Sequence, residues 1–186
     1  MSGADSKKIL RNKLLDKRKY FNEDMHRDAN EAIFKNIIAL ISKSFELNEI
    51  GLYWPLKGEP DLLKIALAVK NPIGLPKIIK SEMSFVKYDP MGFMERSSLP
   101  DLYHPKSSIE ILPKLIIIPA LGLSVSGYRI GFGYGYYDKY LAKINQIYKT
   151  IAVGVCFYED LFEYIEHEIH DYQVNYVITD KIIIKV

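Results

Sequence analysis

The chain has 186 residues, 48% apolar and 26% charged, with a formal net charge of +2. That length suits one domain, spanning 1–186, with a sizeable core, and the near-neutral balance argues against nucleic-acid binding. A lone cysteine, Cys156, excludes an internal disulfide and fits a reducing cytoplasm; the start has no apolar core like a signal peptide's, and the longest apolar run is far too short to span a bilayer.

The predicted elements run in chain order as follows. In "SKKILRNKLLDKRKYF", Leu10, Leu14 and Leu15 share one helical face. A second helix is expected in "NEDMHRDANEAIFKNIIALISKSF", capped by Asn22, with Ile33, Ile37, Leu40 and Ile41 as its apolar stripe. "EIGLYW" reads as a strand and "DLLKIALAVK" as a helix, followed by the strands "MSFVKY", "LIIIP", "TIAVGV" and "VNYVIT". "YYDKYLAKI" and "EDLFEYIEHEI" read as helices between the last three strands, and the Pro- and Ser-rich residues 89–113 as a long loop. Unbroken apolar runs such as "LIIIP" suit strands buried on both faces of a parallel sheet. Strands alternating with helices predict a single three-layer α/β/α domain with a mostly parallel central sheet.

The run "RIGFGYGYYDKYL" at 129–141 carries three glycines at alternate positions. Glycine weakens regular structure, so such a run means unusual backbone angles or close approach of another group. Lying between a strand and a helix start, it could aim free N–H groups at a phosphate. A glycine-rich turn covered by aromatics fits the same spacing. The run matches neither the dinucleotide fingerprint, whose third glycine would fall at Tyr136, nor a P-loop, which ends in Gly-Lys-Ser/Thr.

Read with its upstream residues, "IIIPALGLSVSGYRIGFGYGYYDKYL" closely resembles the 5-formyltetrahydrofolate cyclo-ligase family. Pro119, Gly127, Arg129, Gly131, Gly133, Gly135, Tyr136, Tyr137 and Asp138 fall in register with the family's strand, glycine run and Tyr-Tyr-Asp. "KKILR", "YWPLKGEPD" and "HDYQVNYVIT" resemble its N-terminal Lys-x-x-x-Arg, its glutamate loop and its C-terminal aspartate segment. Ala120, Ser124 and His104 depart from the family pattern, which usually has Gly, Asp and Glu there.

The resemblance implies ATP-dependent closure of 5-formyltetrahydrofolate to 5,10-methenyltetrahydrofolate by a monomeric enzyme, with Mg²⁺ as cofactor and ADP and phosphate released. It implies a nucleotide site made by Lys7, Lys8, Arg11, Arg129, Ile130, Gly131, Phe132, Gly133, Tyr134, Gly135, Tyr136 and Tyr137. Trp54, Glu59, Phe132, Tyr134 and Tyr136 would meet the folate, and Asp138 and Asp171 the metal. Arg129 is expected as the catalytic cation. Without the resemblance, Lys7 and Arg11 would read as a solvated basic face with Lys13, Lys17, Arg18 and Lys19, Trp54 equally as core, Asp138 as a helix-end charge and Asp171 as a surface loop residue. The rival from Ser124 and His104 is a degenerate relative that binds folate or nucleotide without turnover. A zinc-hydrolase reading of "EHEIH" fails, because its histidines are one residue too close.

Overall fold

A computed structural model of the chain describes residues 3–43 and 48–186. The first helix, α1 (Gly3–Arg18), leads through one 3-10 turn (Asp24–His26) to α2 (Arg27–Ser42). Asn22 does not cap α2, which is preceded by His26: the chain first makes the 3-10 turn, and Asn22 Oδ1 accepts there from the N–H groups of Asp24 at 2.9 Å and Met25 at 3.4 Å. Ile33, Ile37 and Ile41 bury the expected stripe of α2. Ser44 and Phe45, at the end of the predicted helix, lie outside the described residues.

A two-residue strand, β1 (Ile50–Gly51), and a one-turn helix, α3 (Ile65–Ala68), come next. The long helix expected over "DLLKIALAVK" shrinks to that turn. Asp61 accepts the Leu63 N–H at 3.0 Å in a local turn before it, and Val69 after it is extended. Pro72 also keeps Asn71 out of helical geometry. The strands β2 (Ile73–Ile79) and β3 (Glu82–Tyr88) form a hairpin, of which only the second was anticipated. Residues 89–113 are not a plain loop: β4 (Met94–Arg96) and β5 (Tyr103–Pro105) pair as a ribbon, and β6 (Glu110–Ile111) joins the main sheet.

After β7 (Leu115–Pro119) the chain makes a second small hairpin of β8 (Gly122–Ser124) and β9 (Arg129–Ile130). The glycine run therefore follows β9 and not the end of β7 directly. It opens α4 (Tyr136–Ile144), which covers "YYDKYLAKI" as expected. β10 (Ile151–Val155), β11 (Leu161–Phe162), β12 (Tyr176–Ile178) and β13 (Ile183–Lys185) complete the described elements.

Among the described residues, eight strands form the main sheet in the order β13-β12-β10-β7-β1-β2-β3-β6. The five inner ones, β12 to β2, run parallel, while β13, β3 and β6 are added at its two margins through antiparallel pairings. In β7, Leu115 and Ile117 join the cluster under α2, and Ile116 and Ile118 the cluster under α4. Alternate side chains of one strand thus reach opposite helices, which produces the predicted three layers.

The expected helix over "EDLFEYIEHEI" does not form. Its start is a 3-10 turn (Tyr158–Asp160), and Leu161 and Phe162 pair with Leu123 and Ser124 of β8. Ile165 drops into a third cluster with Leu14, Leu121 and Ile130. The apolar spacing that suggested a helix serves a strand pairing and a core contact instead, a tertiary override of local preference.

Candidate functional site

The site begins with backbone angles. Gly133 has φ +97° and Gly135 φ +69°, both in a region where L side chains are strained. Gly135 is also the residue that opens α4. Gly131 has a different reason to be glycine: a Cβ placed there would meet nothing within 4 Å. Its bare backbone therefore faces open space between β9 and the helix start.

Asp138, on the first turn of α4, holds this junction. Its Oδ1 accepts from Arg129 Nη2 at 2.5 Å and from the Tyr172 N–H at 3.0 Å. Arg129 Nη1 donates to the Tyr172 carbonyl at 2.9 Å. The Arg129 side chain is 7% exposed, so this is a largely desolvated lock between β9, α4 and the segment before β12. The cation expected to be free for catalysis has both terminal nitrogens engaged.

α1 lays further cations along the same space. Lys7, Arg11 and Arg18 are four and seven residues apart, hence on one helix face. Lys7 Nζ pairs with Asp171 Oδ2 at 2.5 Å, and the same oxygen accepts the Glu168 N–H at 2.6 Å. Burial opposes ionisation of Asp171, but these two donors outweigh it and hold the carboxyl below its usual range. Arg11 Nε donates to the Gly131 carbonyl at 2.8 Å, which ties the glycine run to α1. Arg18, grouped by sequence with the solvated lysines, is instead 8% exposed.

The other wall is aromatic and holds a buried carboxylate. Trp54 is half-buried, packs on the core and lies 5.3 Å from the Tyr103 ring, so it both packs and faces the site. Glu59 is 6% exposed, and its Oε2 accepts the Leu56 N–H at 2.9 Å. Burial pushes its carboxyl up to about 7, against the pull of Arg18 and that N–H. Burial also raises the hydroxyls of Tyr53 and Tyr137, both further shifted upward by the Glu59 charge. Tyr134 and Tyr136 stack at 5.7 Å.

These residues meet around one cavity of about 980 Å³. Lys7, Arg11, Trp54, Glu59, Arg129, Asp138 and Asp171 all line it, as do Gly131 to Tyr137. Two expected members do not. Lys8 is exposed on another face of α1, and Ile130 is fully buried in the third cluster. Arg18, Tyr53, Lys139 and His170 also line the cavity and were missed. Of these, Arg18 was open to detection from its spacing to Lys7 and Arg11. Among the described residues, no group of three or more His, Cys, Asp or Glu is placed to hold a metal alone. His167, rejected above as a zinc ligand, stacks on Tyr128 at 3.5 Å in a loop, not on a helix end. Among the described residues, no helix is long and apolar enough to cross a membrane.

The sequence pattern of the 5-formyltetrahydrofolate cyclo-ligase family matches residues 4–180. A 5-formyltetrahydrofolate cyclo-ligase of Mycoplasma genitalium is 28% identical over 177 residues, covering 92% of this chain and 96% of that protein. The fold matches the NMR structure of Aquifex aeolicus 5,10-methenyltetrahydrofolate synthetase with TM-score 0.81 and 27% identity, over 96% of this chain and 92% of that one. It also matches a 5,10-methenyltetrahydrofolate synthetase from Mycoplasma pneumoniae, with TM-score 0.75 at 21% identity, over 94% of this chain and 99% of that one. At that identity the second likeness speaks for the fold alone.

Proposed function

The chain belongs to the 5-formyltetrahydrofolate cyclo-ligase family, a family of ligases, and from that membership we propose that it uses Mg-ATP to close 5-formyltetrahydrofolate to 5,10-methenyltetrahydrofolate in the cytoplasm. The observation that carries the reading is one cavity with two unlike walls. A helix start, a glycine run and α1 cations face an aromatic wall with a buried carboxylate. The first suits phosphates and the second a flat, N–H-rich ring. The meeting of α1 and the segment around Asp171 across this cavity supports reading residues 1–186 as one domain.

The formyl oxygen attacks the γ-phosphorus of ATP, and the bond to the β-phosphate oxygen breaks to release ADP. The second folate nitrogen then adds to the activated formyl carbon, phosphate leaves with the former formyl oxygen, and the nitrogen's proton passes to solvent. Such a transfer depends on positioning and charge stabilisation. Gly131 to Gly135 allow backbone approach to the phosphates, with the start of α4 behind them. Arg11 keeps its terminal nitrogens for phosphate oxygens while Nε holds Gly131, and Lys7 adds charge from the same face. Arg129 acts mainly by fixing Asp138, as a positioning residue. The folate ring lies by Trp54, Phe132, Tyr134 and Tyr136, with Glu59 accepting from its N–H groups.

The donor chemistry fits Mg²⁺. Hydrogen bonds fall on Oδ1 of Asp138 and Oδ2 of Asp171, leaving the second oxygen of each for a hard cation. Asp138 and Asp171 would hold the ion together with substrate phosphates and waters, and it would supply neutralisation of phosphate charge. Ser124 and His104 do not line the cavity. Ser124 Oγ accepts the Tyr128 N–H at 3.0 Å inside the β8–β9 turn, so these departures do not favour a degenerate site. Mixing protein, Mg-ATP and 5-formyltetrahydrofolate and following the methenyl chromophore tests the reading. Tight folate binding without ATP consumption would reject it in favour of a non-catalytic relative.

A further inference from the structure

Arg18 has a position that neither the phosphate chemistry nor the core explains. Its stem lies against Gly58, φ +80°, where a Cβ would meet Arg18 Cγ at 2.8 Å. The loop that carries Glu59 is thus shaped around this side chain. Nη2 donates to the Ala120 carbonyl at 2.7 Å, and Nη1 reaches Glu59 Oε1 at 3.5 Å, a long contact for an ion pair. Nε is buried with no hydrogen-bond partner among the described residues. The guanidinium carbon stands 5.9 Å from the Phe132 ring centre, and Arg18, Glu59 and Phe132 all line the cavity.

An unpaired donor away from water is costly, and a buried guanidinium offers five donors in a rigid fork. Nη1 and Nη2 each keep a second N–H beyond their contacts to Glu59 and Ala120, and donors left over in a binding wall point to an acceptor that arrives with the ligand. The loose contact to Glu59 points the same way, because the pair can open to admit a third group. Side by side, Glu59 presents acceptors and Arg18 presents donors. The pyrimidine edge of a pterin has the complementary order: amino and ring N–H donors next to a 4-oxo acceptor.

We propose that Arg18 and Glu59 read this edge together, Glu59 accepting from the N–H groups and Arg18 donating to the 4-oxo oxygen, so that Arg18 selects oxo-pterins over 4-amino-pterins. The inference rests on the folate reading of the cavity and assigns specificity within it. A 4-amino group would turn donors towards Arg18's donors, and this mismatch makes the arginine discriminating. No step of the transfer passes through Arg18, so its loss acts on recognition.

The test is the ratio of dissociation constants for 5-formyltetrahydrofolate and its 4-amino-4-deoxy analogue, measured without nucleotide. Arg18→Gln, whose amide can turn either face to the ligand, should move the ratio about tenfold or more towards the amino compound, the effect of one hydrogen bond to a charged group. Arg18→Lys keeps the charge beside Glu59 and guards against a variant that fails to fold. It should move the ratio less, by about threefold, since it loses the fork. Melting temperature accompanies each measurement. A folded variant whose ratio stays at the wild-type value overturns the inference, as does an equal loss of both affinities, which marks Arg18 as purely structural. Wild-type protein that binds neither compound overturns the proposed function and this inference with it.

Discussion

Glu59 carries the most displaced carboxyl of the cavity wall, raised by burial to about 7. The groups around it are Arg18, the Leu56 N–H, and the hydroxyls of Tyr53 and Tyr137. Ligand N–H donors favour its charged form, so folate affinity should rise with pH and level off above about 7. Stability runs the other way. The folded carboxyl keeps its proton above the ordinary value of 4.5, so this group favours the fold at low pH and its contribution declines as pH rises from there to about 7. Glu59→Gln should flatten both trends, read by titration and by melting. Affinity already flat from about pH 6 to about 8 in the wild type would remove Glu59 from ligand contact. Arg129 poses a different question at the same scale. Truncating it strands Asp138 and the Tyr172 carbonyl in a desolvated lock. Arg129→Ala should therefore cost about 2–3 kcal/mol, or roughly 5–10 °C in Tm, with turnover falling in step. An Arg129→Ala protein of unchanged Tm but greatly slowed turnover would return Arg129 to direct catalysis.

The glycine run behaves as an element in which each glycine is needed for its own reason. At Gly133 the positive φ resists any side chain, and a Cβ would come within 3.3 Å of Arg11 Cζ. Gly133→Val should distort the run, displace Arg11 and weaken ATP binding together. Gly131 has an ordinary φ and open space at its Cβ, so Gly131→Ala should leave Tm within about 1–2 °C. If phosphate fills that space, the added methyl should still weaken ATP binding about tenfold or more. Isothermal titration of Gly131→Ala separates the two readings, because normal ATP affinity would make the run a turn and nothing more. α2 is a contrasting case, an element defined by burial alone. Ile37 is fully buried beneath the sheet, and Ile37→Ala should cost about 2–5 kcal/mol on chemical denaturation while leaving the KM for ATP unchanged.

At the scale of the whole molecule, the site exists only because distant parts of the chain meet. α1 reaches Asp171 through Lys7, the glycine run through Arg11 and the Glu59 loop through Arg18. The start of the chain thus closes over the C-terminal ends of the parallel strands, where open α/β sheets place their ligands. Metal should matter for turnover and not for the fold, since Asp138 and Asp171 are already held by Arg129 and Lys7. Chelation should abolish methenyl formation while leaving Tm and nucleotide-free folate binding unchanged. A large drop in Tm on chelation would mean that the cation is structural.

The sequence by itself determined much of this protein: the layered α/β plan, the helix "YYDKYLAKI", the buried strand "LIIIP" and many of the residues around the cavity. Periodicity reports which faces are apolar, and a glycine run reports backbone demands, so these are local signals. The resemblance of four segments placed their residues in one site. Tertiary structure decided the rest. "EDLFEYIEHEI" has helical spacing, yet Leu161 and Phe162 are taken by β8 and Ile165 by the cluster beneath α1. Arg18 looks like one more surface cation, yet the Glu59 loop folds around its stem and buries it. Arg129 looks free, yet Asp138 and the Tyr172 carbonyl claim its terminal nitrogens. In each case the outcome turned on at least one partner distant in the chain, 43 residues away for Arg129 and Tyr172 and 41 for Arg18 and Glu59, and no short-range pattern encodes which groups a side chain will meet once the sheet has brought them together.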